Sequence, residues 1–358
     1  MNPPDPLTQK IAILYQALEP PVIDGARKEA KPGGYTDSGA DIGVALLSAG
    51  CTLVTPVKSP DPARVHDWAW PDTHEGIAQA LAAGATLLWA NTVVFEGHPI
   101  EEASRQAWIV GPDPCAMQAI DDKAGINARL LAAGLPVARS WLIDGDASDL
   151  ADLLLPFAER LPLVVKPLRG RGSQGVSVAR DFVQLNAQVA SLAAGRRFGS
   201  AIMLEQFLPG QEITITVMPA ATREGQGGPY ALPAIRRFDQ VGDVAPYNGD
   251  VPVSHNSLAL TPREQAEPEI VAVAAACEKA ASLLAIRSPM RIDCRADQNG
   301  RFLLFDVNAK PNLTGAGRPG RENEDSLSTL AAAAMGWTYP EFLVATARGA
   351  WTIKENSE

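Results

Sequence analysis

Met290-Arg291-Ile292-Asp293-Cys294-Arg295-Ala296 and Arg301-Phe302-Leu303-Leu304-Phe305-Asp306-Val307-Asn308 flank the short segment Asp297-Gln298-Asn299-Gly300. Both flanks alternate apolar with polar residues around an Asn-Gly pair, which is the pattern of a β-hairpin. Alternation places Asp306 and Asn308 on one face of the second strand, and Asp293 reaches that face from the partner strand. Two carboxylates and an amide on a stiff hairpin are hard oxygen ligands. They suit Mg²⁺ that keeps its other positions for water and phosphate oxygens. A hairpin with a merely solvated polar face would read the same way, so the stretches around it have to decide.

Upstream, the apolar run Leu163-Val164-Val165-Lys166 leads into Arg169-Gly170-Arg171-Gly172-Ser173-Gln174-Gly175. The glycines match G-x-G-x-x-G, but a dinucleotide-binding turn needs a helix directly after it. Val176-Ser177-Val178-Ala179 alternates like a strand instead. A strand–glycine loop–strand is a flap that covers phosphates with its backbone N–H groups; an ordinary mobile hairpin is the alternative. Lys166 ends an apolar strand, where an ammonium needs an anion. Lys123, in Ile120-Asp121-Asp122-Lys123, opens a helix and read alone is as well a solvated lysine. In Leu204-Glu205-Gln206-Phe207-Leu208-Pro209-Gly210-Gln211-Glu212, Glu212 can accept both hydroxyls of a ribose, and the backbone of Gln206–Leu208 can read an adenine edge. Acidic residues rimming a turn would look the same. No G-x-x-x-x-G-K-[ST] and no kinase triplet occurs.

A chain of 358 residues exceeds one ordinary core, so two or three domains are expected. A formal net charge of −10 argues against a general nucleic-acid or anionic-membrane binder, since both need a basic field. No signal peptide and no membrane-spanning run is visible, and four scattered cysteines fit reduced thiols in a cytoplasm. The four histidines form no metal-ligand spacing and read as surface or structural. Apolar runs at Lys10–Leu18, Cys51–Val57, Thr86–Ala90 and Trp108–Val110 alternate with Ala-rich helical segments, which predicts a doubly wound α/β unit. Helices are predicted over Cys115–Ala133, Phe182–Ala194, Arg263–Ala285, Ser326–Met335 and Tyr339–Arg348. Strands are predicted at Ser140–Ile143, Leu163–Lys166, Ile202–Phe207, Ile213–Met218 and Tyr230–Arg236.

The order of these parts resembles the ATP-grasp superfamily: lysine before a helix, lysine before a glycine flap, Glu-x-x-x-Gly-x-Glu, Arg-x-Asp, then acid-x-Asn. Within it, the D-alanine–D-alanine ligase branch of carboxylate–amine ligases is the most similar, over roughly Ile120 to Arg348. The resemblance implies an α/β and α+β chain. An N-terminal doubly wound α/β domain (1–115) would precede the two-part ATP-grasp fold, with the flap in 116–210 and the metal site in 211–358. It further implies ATP, two Mg²⁺ ions replaceable by Mn²⁺, small carboxylate and amine substrates, no nucleic-acid or membrane partner, a possible homodimer and a cytoplasmic location. Lys123 and Lys166 would contact the α- and β-phosphates. Arg169, Gly170, Gly172, Ser173 and Gly175 would form the flap over the γ-phosphate. Glu205, Gln206, Phe207, Leu208 and Glu212 would hold adenine and ribose, and Asp293, Asp306 and Asn308 the metals. Arg291, with Lys166 and Ser173, would face the transferred phosphoryl group, and Ser326 the second substrate's carboxylate.

The sequence departs from that family where substrates would sit. Asp306 replaces a glutamate. Ala309-Lys310-Pro311-Asn312-Leu313-Thr314 replaces the usual turn, with Asn312 as the residue able to take φ > 0. The segment Gly315–Asp325 is inserted, and its Arg318 and Arg321 either bind a substrate carboxylate in bidentate fashion or pair with Glu322, Glu324 and Asp325 in solvent. Gln16–Gly39 and Asn91–His98 stand in place of the family's substrate loops. The central-strand lysine is missing, with Arg236 or Arg237 as its substitute. The expectation is therefore an ATP-dependent ligase with a rebuilt acceptor pocket. The alternatives are true D-alanine–D-alanine ligation and an inactive nucleotide-binding regulator.

Overall fold

Lys10-Ile11-Ala12-Ile13-Leu14-Tyr15 has apolar residues on both faces, and a strand so built needs cover on both sides. The computed structural model describes residues 3–28, 30, 32–170, 172–222, 227–244 and 253–353, and in it this run is the centre of a parallel sheet. In chain order the first layer comprises β1 (Lys10–Tyr15), a small hairpin of β2 (Val22–Ile23) and β3 (Ala26–Arg27), α1 (Thr36–Ser48), β4 (Thr52–Leu53), β5 (Ala69–Pro71), α2 (His74–Ala82), β6 (Leu87–Asn91), α3 (Ile100–Ala103) and β7 (Trp108–Val110). The sheet order is β4-β1-β6-β7, with β5 also paired to β1. Gly34, at φ 57°, lets the chain pass the end of β1, since a Cβ there would lie 2.2 Å from the carbonyl oxygen of Gln16.

The predicted helix over Cys115–Ala133 is two helices, α4 (Pro114–Ile120) and α5 (Lys123–Ala132). Asp122 interrupts it by accepting the Gly125 N–H at 2.9 Å, so it caps α5 and sets Lys123 at the first helical position. There follow β8 (Ser140–Asp144), α6 (Leu150–Leu154), β9 (Leu163–Pro167), β10 (Ser177–Ala179), α7 (Phe182–Gly195) and β11 (Ala201–Gln206). They build an antiparallel sheet of order β10-β9-β11-β8. β9 and β10 pair directly, so the glycine loop is a flap between strands.

The third sheet orders β15-β14-β12-β16-β17, with β13 beside β12. Its elements are β12 (Glu212–Met218), β13 (Tyr230–Ala231), β14 (Ile235–Arg237), β15 (Ser257–Ala259), α8 (Pro262–Gln265), α9 (Pro268–Leu283), β16 (Met290–Ala296), β17 (Phe302–Asn308), α10 (Leu327–Ala334) and α11 (Tyr339–Ala347). Pro268 opens α9 and breaks the single helix expected from Arg263. One face of this sheet buries Ile213, Ile215, Val217, Ile292 and Cys294 against Ile270, Val273 and Cys277 of α9. The same core runs on to Ala12 and Leu88 of the first sheet, while Phe342 and Leu343 of α11 pack with Ile11 and Ile13 on its other side. α11 packs on α1, and α1 in turn covers β1. The sequence also predicts a surface turn at Thr222–Pro229, which lies partly outside the described residues.

Candidate active site

Glu212-Ile213-Thr214-Ile215-Thr216 and Arg291-Ile292-Asp293-Cys294-Arg295 alternate, so their odd partners share the face opposite α9. The register aligns Glu212 with Arg295, Thr214 with Asp293 and Thr216 with Arg291. On the other side of β16, Asp293 stands opposite Asp306 and Arg291 opposite Asn308. A β-bulge makes this possible. Phe302 and Leu304 pair with Ala296 and Cys294 on the apolar side, and the extra residue Phe305 flips the parity so that Asp306 and Asn308 emerge on the polar side. Strict alternation through the hairpin, as expected from sequence, would have sent Leu304 and Asp306 to one face. The turn is also longer than an Asn-Gly pair: Asp297 Oδ1 accepts the N–H groups of Asn299 and Arg301.

Two carboxylates directly opposite one another repel unless cations share the space. Arg291 supplies one in bidentate form, Nε and Nη2 each 3.0 Å from an oxygen of Asp293. Thr214 donates its hydroxyl to the same carboxylate. Lys123, from the first turn of α5, donates to Asp306. Burial opposes the Lys123 ammonium, yet Asp306 outweighs it and raises the lysine pKa. Burial likewise opposes the Asp306 carboxylate, but Lys123 and Lys166 hold it below its usual range. Lys166 comes from β9 of the neighbouring sheet, with Nζ 2.8 Å from both oxygens of Glu205 and 3.2 Å from the carbonyl of the bulged Phe305. The anion that Lys166 requires is thus Glu205, whose own pKa burial pushes up despite that pairing. Two sheets meet at this cluster.

Glu212 is 5% exposed and accepts from Gln240 at 2.7 Å. Burial pushes its pKa up to about 7, against the pull of Arg237 and Arg295. Arg237 stands opposite Glu212 and is buried, whereas Arg236 pairs with Glu264 away from that face. Of the two candidate substitutes for the missing lysine, Arg237 is the one on the polar face. Gln206 donates its N–H to the Arg139 carbonyl, and the Phe207 ring lies 5.7 Å from the Arg180 guanidinium and 5.5 Å from that of Arg295. Leu208 is buried beside Ala138 and Leu303.

Ser173 takes φ 57° at the flap tip, flanked by Gly172 and Gly175 at φ 62° and 73°. Arg169, at the flap's root, turns toward the first layer, with Nε and Nη2 at 3.3 and 3.2 Å from Asp24. Gly170 packs on Pro167. Arg171 lies outside the described residues.

The acceptor side differs from expectation. Arg318 binds neither solvent nor an open pocket: Nε meets Asp41 at 2.7 Å, Nη1 the Pro62 carbonyl at 2.9 Å, and Nη2 Asp37 at 3.2 Å. Arg321 places Nε 3.0 Å from both oxygens of Asp41, with Glu324 4.0 Å away. These guanidiniums clamp the insertion onto α1, because a carboxylate buried as completely as Asp41 needs such partners. Gly317 completes the contact, where a Cβ would meet the Asp41 carbonyl at 2.3 Å. Ser326 uses its hydroxyl to cap α10, accepting the Thr329 N–H at 3.2 Å. Asn312 does not take positive φ; its side chain instead accepts the Thr314 N–H, which closes the turn with ordinary backbone.

Two polar sets were missed from sequence, one of them beside Asn308, whose Oδ1 accepts the Lys310 N–H. Lys310 Nζ lies 3.2 Å from Asn91 Oδ1 and 3.3 Å over the Tyr35 ring. Its position two residues after Asn308 was the available signal. Asp72, fully buried, binds the N–H groups of Ala17 and Leu18 at 2.8 Å and His98 Nε2 at 3.2 Å. The Ile100 N–H donates to His98 Nδ1, so the ring is the Nε2–H tautomer. Nothing local in the sequence marks that set.

Among the described residues no group of three or more His, Cys, Asp and Glu side chains is placed to hold a metal. The candidate donors are two carboxylates and an amide, and as cross-strand neighbours of hard oxygen chemistry they fit a divalent ion that also binds phosphate. Among the described residues no helix is long and apolar enough to cross a membrane.

The family model D-ala D-ala ligase C-terminus matches residues 132–346. The D-alanine–D-alanine ligase of Synechococcus sp. strain JA-3-3Ab is 30% identical over 272 residues, covering 74% of this chain and 76% of that protein. The D-alanine–D-alanine ligase of Chromohalobacter salexigens is 28% identical over 290 residues, covering 78% and 84%. A crystal structure of D-alanine–D-alanine ligase from Bacillus anthracis complexed with ATP superposes with a TM-score of 0.61 at 17% identity, covering 94% of this chain and 95% of that one. That likeness shows the fold.

Proposed function

The chain belongs to the D-alanine–D-alanine ligase family of ATP-grasp enzymes, and we propose that it uses ATP to join a small carboxylate to an amine through an acyl phosphate. The observation that carries the reading is the meeting of Lys123, Lys166, Arg291, Asp293 and Asp306 between two sheets. A site that only bound nucleotide would have no use for both metal-type carboxylates and a bidentate arginine beside them.

In the reaction, a carboxylate oxygen attacks the γ-phosphorus, the bond to the β–γ bridging oxygen breaks, and ADP leaves. The amine nitrogen then attacks the acyl carbon, the carbon–oxygen bond to phosphate breaks, and inorganic phosphate departs while the nitrogen loses a proton. Positioning and electrostatic stabilisation supply most of this catalysis. Lys123 and Lys166 suit the α- and β-phosphates, and the N–H groups of the flap around Ser173 suit the γ-phosphate. Glu212 suits the ribose hydroxyls, and Arg291 the phosphoryl oxygens. A divalent ion held by Asp293, Asp306 and Asn308 would neutralise phosphate charge; the hard donor set supports Mg²⁺, two ions, with Mn²⁺ as a substitute. A cytoplasmic homodimer is part of the same proposal and rests on family membership; light scattering tests the dimer.

D-alanine on both sides is the activity that the relatives' names state. Against adopting it unchanged stand the clamped insertion at Arg318 and the altered segments Gln16–Gly39 and Asn91–His98. The test is product analysis with ATP, Mg²⁺ and pooled amino acids. ADP and phosphate formed only when a carboxylate and an amine are present support the ligase; AMP and pyrophosphate contradict it.

A further inference from the structure

Resting on that ligase reading, we propose that the carboxylate substrate carries an apolar side chain larger than a methyl group, seated in a cleft beside Lys123. The cleft is shallow and open to solvent, with about 400 Å³ of unfilled space over its lining when the solvent at its mouth is counted. Ile23 of the β2–β3 hairpin, Val93, Val94 and Phe95 after β6, and Met117 of α4 form its apolar wall, and Arg169 of the flap root closes one side. Both altered segments, Gln16–Gly39 and Asn91–His98, therefore contribute to one surface. That surface adjoins the chemistry: Asp121 lines it and lies two residues before Lys123, whose ammonium meets Asp306.

The polar groups of the cleft are nearly balanced. Lys28 pairs with Asp121, and Arg169 spends Nε and Nη2 on Asp24. Arg169 Nη1, however, is buried without a hydrogen-bond partner among the described residues. A buried guanidinium nitrogen is rarely left so, and an acceptor oxygen of a bound molecule would satisfy it. Apolar wall and single donor together describe a ligand with an oxygen at one end and a hydrocarbon body. A methyl group would cover little of this open apolar wall, whereas a branched aliphatic or aromatic group would lie across it and take more of it out of water. Asp24 and Gly25, at φ 52° and 76°, form the tight turn that brings the Asp24 carboxylate to Arg169, and the flanking Ile23 and Ala26 line the cleft.

The test reads binding without turnover, so its outcome is separate from that of the ligase reading, which ADP release judges. The full chain, with Mg²⁺ and ADP present, is titrated calorimetrically with the D and L forms of alanine, leucine and phenylalanine. Leucine or phenylalanine of one hand should bind at least about tenfold more tightly than alanine, in line with the discrimination that a few methylenes give a hydrophobic pocket. Ile23→Trp, which covers the cleft from a half-buried residue of its wall, should erase that gap and leave ADP affinity unchanged. Alanine binding as tightly as the larger amino acids, no binding of either larger one, or a gap that survives Ile23→Trp would overturn the proposal.

Discussion

Arg318 Nε donates to Asp41 at 2.7 Å, a contact between residues 277 positions apart that fastens the segment Gly315–Asp325, after β17, to the first helix. Asp41 is fully buried, and removing one member of a buried ion pair typically costs about 3–5 kcal/mol. Asp41→Ala should therefore lower the unfolding free energy by roughly that amount in a denaturant titration. Arg318→Ala should weaken ATP and substrate together. A selective rise in the KM of one substrate would instead return Arg318 to substrate recognition.

The Lys166–Glu205 pair offers a double-mutant cycle. Lys166→Ala leaves a buried carboxylate alone and should both destabilise the protein and weaken ATP binding. Adding Glu205→Gln should recover much of the stability without restoring nucleotide affinity. Recovery of both would remove Lys166 from the nucleotide site.

Glu212 gives a pH signature. Its folded pKa of about 7 lies above the ordinary value of 4.5, chiefly through burial, so the folded state holds its proton more firmly than the unfolded state does. The resulting contribution is complete below pH 4.5 and is lost as pH rises through 7. The ligand-free protein should show this loss, and Glu212→Gln should flatten that part of the stability curve. An unchanged curve would mean that Glu212 is ionised in the fold.

Asp306→Asn keeps the size of the side chain and removes the charge that faces Lys123. Turnover should fall at least about a hundredfold, the scale on which a lost electrostatic group acts in such sites, while circular dichroism stays native. Wild-type turnover in this variant would dismiss the metal assignment.

The polar face of β12 and β16 was legible because alternation in Glu212–Val217 and Met290–Ala296 is a local signal. So was the flap, since Val176–Ala179 alternates like a strand. The bulge at Phe305 was not legible, because one extra residue leaves no compositional trace. The fate of Arg318 depended on Asp41, a residue of α1 that nothing near the insertion points to, and Lys166 found its anion in Glu205 across a sheet. Helix breaks at Asp122 and Pro268 were written in capping residues that a reading by hydrophobic periodicity alone passed over. Long-range polar pairing, rather than local propensity, is what the sequence left hidden.

The central claim is that a carboxylate oxygen takes the γ-phosphoryl group. It is tested most directly by supplying a turned-over carboxylate labelled with ¹⁸O in both oxygens and analysing the released phosphate by mass spectrometry. The acyl-phosphate route transfers one labelled oxygen into each inorganic phosphate formed. Unlabelled phosphate, or label recovered in AMP, would contradict it.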